Sequence, residues 1–202
     1  MKKIKISLII VIAVVGAILI YKKFEHIDTE QKEIDKFVSE YTLLTENHVF
    51  QIINIDEAIN ILNNKTGIIL FCNPGSDWCQ HYAKILDDIA VENDIEKIYY
   101  TDIKDDRSIN SNKYRKIVTI MQEHLDSDDT GNKRLNMPNL TFVKDGKIIA
   151  NDNRTSLVSS DTTPEEYWTR ENILTFKNNI IESILLLENN KTTLSDDTTK
   201  EE

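Results

Sequence analysis

The chain has 202 residues, of which 29% are charged, and a formal charge of −10. That length supports one domain with a sizeable core plus appendages, and five Gly with three Pro exclude a collagen-like or low-complexity chain. So acidic a balance argues against a nucleic-acid partner, which would need clustered Lys and Arg, and two cysteines exclude a disulfide-dense scaffold.

Residues 1–23 are predicted to be a transmembrane signal anchor. Lys2, Lys3 and Lys5 precede an uncharged run from Ile6 to Tyr21, and Lys22 and Lys23 close it. A span needs about 20 residues. Ile4 lengthens the run, and flanking lysines can snorkel to the headgroups. The run ends in Ile18-Leu19-Ile20-Tyr21 rather than in small residues, and no cysteine lies near its end, so it reads as an anchor and not as a cleaved leader. The lysine bias favours an inside N-terminus and a domain outside the membrane.

Residues 24–47 follow as a helical linker, with Asp28 and Gln31 in capping-box spacing. The domain is predicted over 48–188. Val49–Asn54 reads as a first strand. Asp56 is expected to cap a helix ending near Asn63, with Gly67 just beyond it. Gly67–Cys72 is a continuous apolar run, as in a buried central strand. Asn73-Pro74-Gly75 is turn chemistry. A helix then runs from Trp78 or Cys79 to about Glu92, with Tyr82, Ile85, Leu86 and Ile89 on its apolar face.

Lys97–Asp102 reads as a strand and Asn112–Leu125 as a helix. Asp126–Lys133 is a polar loop. Asn139–Lys144, an Asp145-Gly146 turn and Lys147–Ala150 form a hairpin. Residues 151–163 are expected to be loop. Thr163 and Pro164 start one last helix through Leu187, with Ile173, Leu174, Phe176, Ile180, Ile184 and Leu187 as its apolar stripe. Residues 189–202 are predicted to be a disordered acidic tail. The order β-α-β-α-β-α-β-β-α implies an α/β fold, a central mixed sheet flanked by helices.

The chemistry gathers at Ser76-Asp77-Trp78-Cys79-Gln80-His81-Tyr82. A thiolate at a helix N-terminus faces unpaired N–H groups and the positive end of the dipole, which lowers its pKa and raises its reactivity. On that reading Cys79 is the catalytic nucleophile, and a His81 imidazolium favours its thiolate. The plainer reading makes Cys79 a small core residue and His81 a surface one. Tyr82 stands where the second cysteine of a Cys-x-x-Cys motif would be, so dithiol exchange lacks its usual resolving thiol. Three routes stay open: Cys79 as a monothiol, Cys72 as the resolving thiol, or a binding surface without redox chemistry. Cys72 could reach Cys79 across the turn, or could be an inert core residue.

The four His and two Cys lack metal-ligand spacing, and Asp126–Asp129 lacks the calcium-loop pattern, so no metal and no cofactor are expected. Tyr167-Trp168 is read as packing.

Trp78-Cys79 after the second strand and Met137-Pro138 before the hairpin resemble the thioredoxin-like superfamily, over roughly residues 48–187. The resemblance implies a thioredoxin-like fold, a cis peptide bond before Pro138 beside the redox cysteine, and substrate binding by Trp78, Met137 and Pro138. More narrowly, the chain resembles Gram-positive, membrane-anchored bacteriocin transport accessory proteins. That likeness rests on the short anchor, Asp102-Ile103-Lys104, Gly131-Asn132-Lys133-Arg134 and Phe142-Val143-Lys144-Asp145-Gly146-Lys147. It implies an extracytoplasmic, single-pass protein of a Gram-positive cell membrane. Its function would be thiol–disulfide chemistry on exported peptides or proteins, or redox-inactive binding accessory to export, with a membrane transporter as a further partner.

Overall fold

The computed structural model describes residues 31–188, together with 19, 21–23, 25 and 29. The chain divides into two compact units, Met1–Thr42 and Leu43–Glu202. In the first, residues 31–40 form a helix, α1, whose end is closed by the Tyr41 N–H donating to Phe37 O at 2.8 Å. Residues 1–18 and 20 of the expected anchor and the whole expected tail lie outside the described residues. Among the described residues no helix is long and apolar enough to cross a membrane.

The second unit is a five-stranded mixed sheet flanked by helices. Its elements are β1 (Phe50–Ile52), α2 (Ile55–Asn64), β2 (Gly67–Cys72), α3 (Asp77–Glu92), β3 (Ile98–Asp102), α4 (Lys104–Ser108), α5 (Asn112–Met121), β4 (Asn139–Lys144), β5 (Lys147–Asp152), α6 (Pro164–Tyr167) and α7 (Arg170–Glu188). The spatial order is β1-β3-β2-β4-β5. Strands β1, β3 and β2 run parallel, and β4 and β5 add on antiparallel. The helices between the first three strands make the parallel crossovers, and the tight Asp145-Gly146 turn makes the antiparallel pair.

β2 lies at the centre, and Ile68 to Cys72 are all buried. Helices cover both faces of it, which is why the run is apolar without alternation. Ile69 and Phe71 join the core built with α2 and α5, which includes Leu62, Ile117 and Met121. Strand alternation turns Ile68, Leu70 and Cys72 to the opposite face, where α3 starts.

Local chemistry explains the element starts. Asn54, not Asp56, caps α2: its side chain accepts from Asp56 and Glu57 N–H, and Glu57 reaches back to Asn54 N–H. Asp56 sits instead in the first turn, where its charge favours the helix dipole. Gly146, at φ +72°, donates its N–H to Lys65 O at 3.0 Å, and a Cβ there would lie 2.1 Å from Asn63 O. The hairpin turn is thereby held against the end of α2, and only glycine fits.

Five departures from the sequence reading stand out. α4 is an extra short helix. The helix expected over Asn112–Leu125 ends at Met121, and Gln122–His124 is a 3-10 turn. The last helix is broken, because Trp168 leaves helical backbone (φ −78°, ψ 56°) and turns inward. Thr169 then caps α7, accepting from Asn172 N–H at 3.3 Å. β5 also continues through Asp152 into the stretch expected to be loop, and Leu174 of the expected stripe is 56% exposed.

Candidate functional site

The site forms where β2 ends and α3 begins. The turn Asn73-Pro74-Gly75 carries the chain from one to the other, and Ser76 N–H donates to Asn73 O at 3.3 Å. Ser76 is the N-cap of α3, its hydroxyl accepting from Cys79 N–H at 3.4 Å. The helix therefore starts at Asp77, one or two residues before the position expected from sequence. Ser76 occupies the half-exposed mouth of the helix, and Cys79, the third residue of the helix, has no exposed surface. A serine before an apolar-periodic run is itself a start signal, and weighing it would have placed the helix correctly.

Cys79 is not a lone thiol. It forms a disulfide with Cys72, across a Cα–Cα distance of 5.7 Å, within the range such a bond requires. Cys72 is also fully buried. Cys72 is thus buried, as the plainer reading had it, but not unpaired: the turn is short enough, and Cys72 faces the side of the sheet on which α3 lies. The Asn73 N–H donates to Cys79 Sγ at 3.3 Å, so one sulfur of the pair receives a backbone dipole inside the fold.

Tyr82 faces the core. It is fully buried, and its hydroxyl donates to Asp152 Oδ1 at 3.0 Å. Its ring meets those of Trp168 and Phe176, with centroids 5.8 and 4.8 Å away. Burial, and then the Asp152 charge, push its phenol well above the usual range. Asp152 also pairs with Arg154 at 2.6 Å, and Arg154 lies over the Phe176 ring at 4.8 Å. Tyr82 thus ties α3 to β5 and α7, and nothing in the sequence spacing links Tyr82 to Asp152, Arg154 and Phe176 beforehand.

His81 lies two residues beyond Cys79, and helix geometry puts i and i+2 on different faces. Its Nε2 is 3.1 Å from Glu165 Oε1 at the start of α6. The Glu165 carboxyl sits below the usual range, chiefly through its own backbone N–H and further through His81. Trp78 is half-buried and packs edge-on against Tyr167, centroids 5.5 Å apart. Tyr167 and Trp168, expected as packing, do pack, and they do so directly on Trp78 and Tyr82.

Met137 and Pro138 reach the same place by strand register. β4 pairs with β2 so that Asn139 is opposite Phe71, and one further step sets Pro138 opposite Cys72. The Met137–Pro138 bond is cis, as the resemblance implied. Met137 is half-buried against the core of α2 and α5, and its backbone N–H and C=O take no hydrogen bond among the described residues. Also among the described residues, no three His, Cys, Asp or Glu side chains are grouped so as to hold a metal ion.

No protein-family model matches the sequence, and no curated protein matches it either.

Proposed function

We propose that the chain is a thioredoxin-like binding module, tethered on the outer face of a Gram-positive membrane and accessory to peptide export. In it the Cys72–Cys79 disulfide staples the site and does not turn over on substrates. One observation carries this reading: both bonded cysteines are fully buried, while the half-exposed position at the mouth of α3 is Ser76. Thiol–disulfide exchange needs an attacking thiolate to reach a sulfur. In a pair spaced by two residues at the start of a helix, the outer member is the one at the cap. Here that member is a hydroxyl, which cannot form a mixed disulfide, and Cys79 takes the inner place.

The binding half of the reading is supported by the edge at Met137. Its unpartnered backbone groups lie next to the cis bond and offer an extended peptide one donor and one acceptor, as in strand addition. A disulfide persists in an oxidising compartment, which agrees with a domain outside the cell. Thioredoxin-like membership is supported by the strand order, by Pro138 opposite Cys72, and by the site at the start of α3.

Mass-tag alkylation of the native protein tests the staple. With a small dithiol present and no denaturant, no tag is expected on Cys72 or Cys79, and denaturant should expose both. Rapid tagging of Cys79 in the native state, together with reduction of a disulfide-bonded test protein, would overturn it. A second reading, slow thiol–disulfide chemistry by the Cys72–Cys79 pair, is favoured by the Asn73 N–H on Cys79 Sγ, a donor that would also hold a thiolate. The same tagging experiment separates the two.

A further inference from the structure

The molecule is acidic, yet one cleft on it is not. A cleft of about 670 Å³ lies between α4, α5 and the 126–134 loop, and its lining carries Arg107, Arg115, Lys133 and Arg134 against a single carboxylate, Asp128. None of the ion pairs among the described residues uses any of these four cations. Their hydrogen-bond partners are neutral: Arg107 donates to Asn136 Oδ1 at 3.3 Å, Arg115 to Asn110 O and Asn112 Oδ1, and Lys133 to Leu125 O at 2.7 Å. Arg107 Nε is buried with no partner.

Asp128 offsets only part of this charge. Its carboxylate accepts from the Thr130 hydroxyl and from the N–H groups of Thr130 and Asn132, within its own turn. The lining thus keeps a net charge of about three positive on a chain of −10. An anion is the partner such a field recruits.

We propose that this cleft binds acidic side chains of a polypeptide whose backbone docks at Met137. The inference rests on the binding-module reading above and gives it a substrate class. The connection is short: Arg107 holds Asn136 by a hydrogen bond, and Asn136 immediately precedes Met137 and the cis bond. Arg107 lines the same cleft as Arg115 and Arg134, so the cleft and the Met137 edge share Arg107 as their link. Guanidinium groups suit carboxylates, because their planar forks match them in two bonds. A nucleic acid is the poorer fit, since four cations in one cleft do not make a basic face and the rest of the surface repels a polyanion.

The test is binding of two labelled peptides to the full chain, read by fluorescence anisotropy. One is rich in Glu and Asp, and the other has Gln and Asn at the same positions. The acidic peptide should bind about tenfold more tightly, with the advantage shrinking as salt rises from roughly 0.15 to 0.5 M. The double variant R115E/R134E changes two exposed residues and should abolish the preference, whereas K65E/K147E, the same charge change at two exposed lysines outside the cleft, should keep it. Circular dichroism checks that each variant is folded. Equal binding of the two peptides, or a preference that survives R115E/R134E, overturns the inference and leaves the module reading standing. Binding of neither peptide overturns the reading, and the inference with it. A single-stranded oligonucleotide that outcompetes the acidic peptide also overturns the inference.

Discussion

Cys79 owes its chemistry to its surroundings at the start of α3. It sits in the first turn of α3, where a helix N-terminus favours a thiolate, but the structure buries it completely and bonds it to Cys72. The bond closes a short loop, and in the chain-entropy account a loop of this size is worth about 2–3 kcal/mol. Cys72→Ser or Cys79→Ser should therefore lower stability by that amount in urea unfolding. Dithiothreitol should have no such effect on the serine variants. At Tyr82, Tyr82→Phe removes a buried hydroxyl but leaves Asp152 its Arg154 partner, so the loss should be only about 1 kcal/mol. The phenol has a pKa raised by burial, so its stabilising effect is complete below the unfolded value of about 10 and fades as pH rises through the folded one. Wild type should lose stability above about pH 10 faster than Tyr82→Phe, as read from urea midpoints at a series of pH values. A Tyr82→Phe profile that follows wild type there would contradict this assignment.

At the scale of elements, periodicity made β2, α3, α5 and the β4–β5 hairpin legible, because a buried strand and an amphipathic helix write different spacings into the chain. Caps were less legible. Asn54 and Asp56 are both good capping residues, and only the hydrogen bonds to Asp56 and Glu57 N–H decide between them. Asn54→Ala should cost about 1 kcal/mol in denaturant unfolding, and Asp56→Ala clearly less. The break between α6 and α7 was not legible at all, since Trp168 and Thr169 sit in a helical pattern and leave it to fill the space beside Tyr82 and Phe176. At the hairpin, Gly146→Ala should destabilise by at least about 2 kcal/mol, because its Cβ would meet the Asn63 carbonyl. A variant as stable as wild type would mean that the turn and the end of α2 can separate.

For the whole molecule, the proposed tether makes a direct prediction. The full-length protein should sediment with membranes and be released by detergent but not by high salt, as followed by fractionation; recovery in the soluble fraction would remove the tether from the account. The sequence by itself determined the class of architecture, the parallel and antiparallel parts of the sheet, and the segment that carries the cysteines, because all of these follow from local spacing and from turn residues. It also supplied Pro138 as a cis candidate through resemblance. Only the tertiary structure decided that Cys72 and Cys79 are joined, that Ser76 and not Cys79 stands at the mouth of α3, and that Arg107, Arg115, Lys133 and Arg134 share one cleft. The reason is physical: spacing along a chain sets which face of an element a residue occupies, whereas burial, bonding and pooled charge depend on which other elements that face meets.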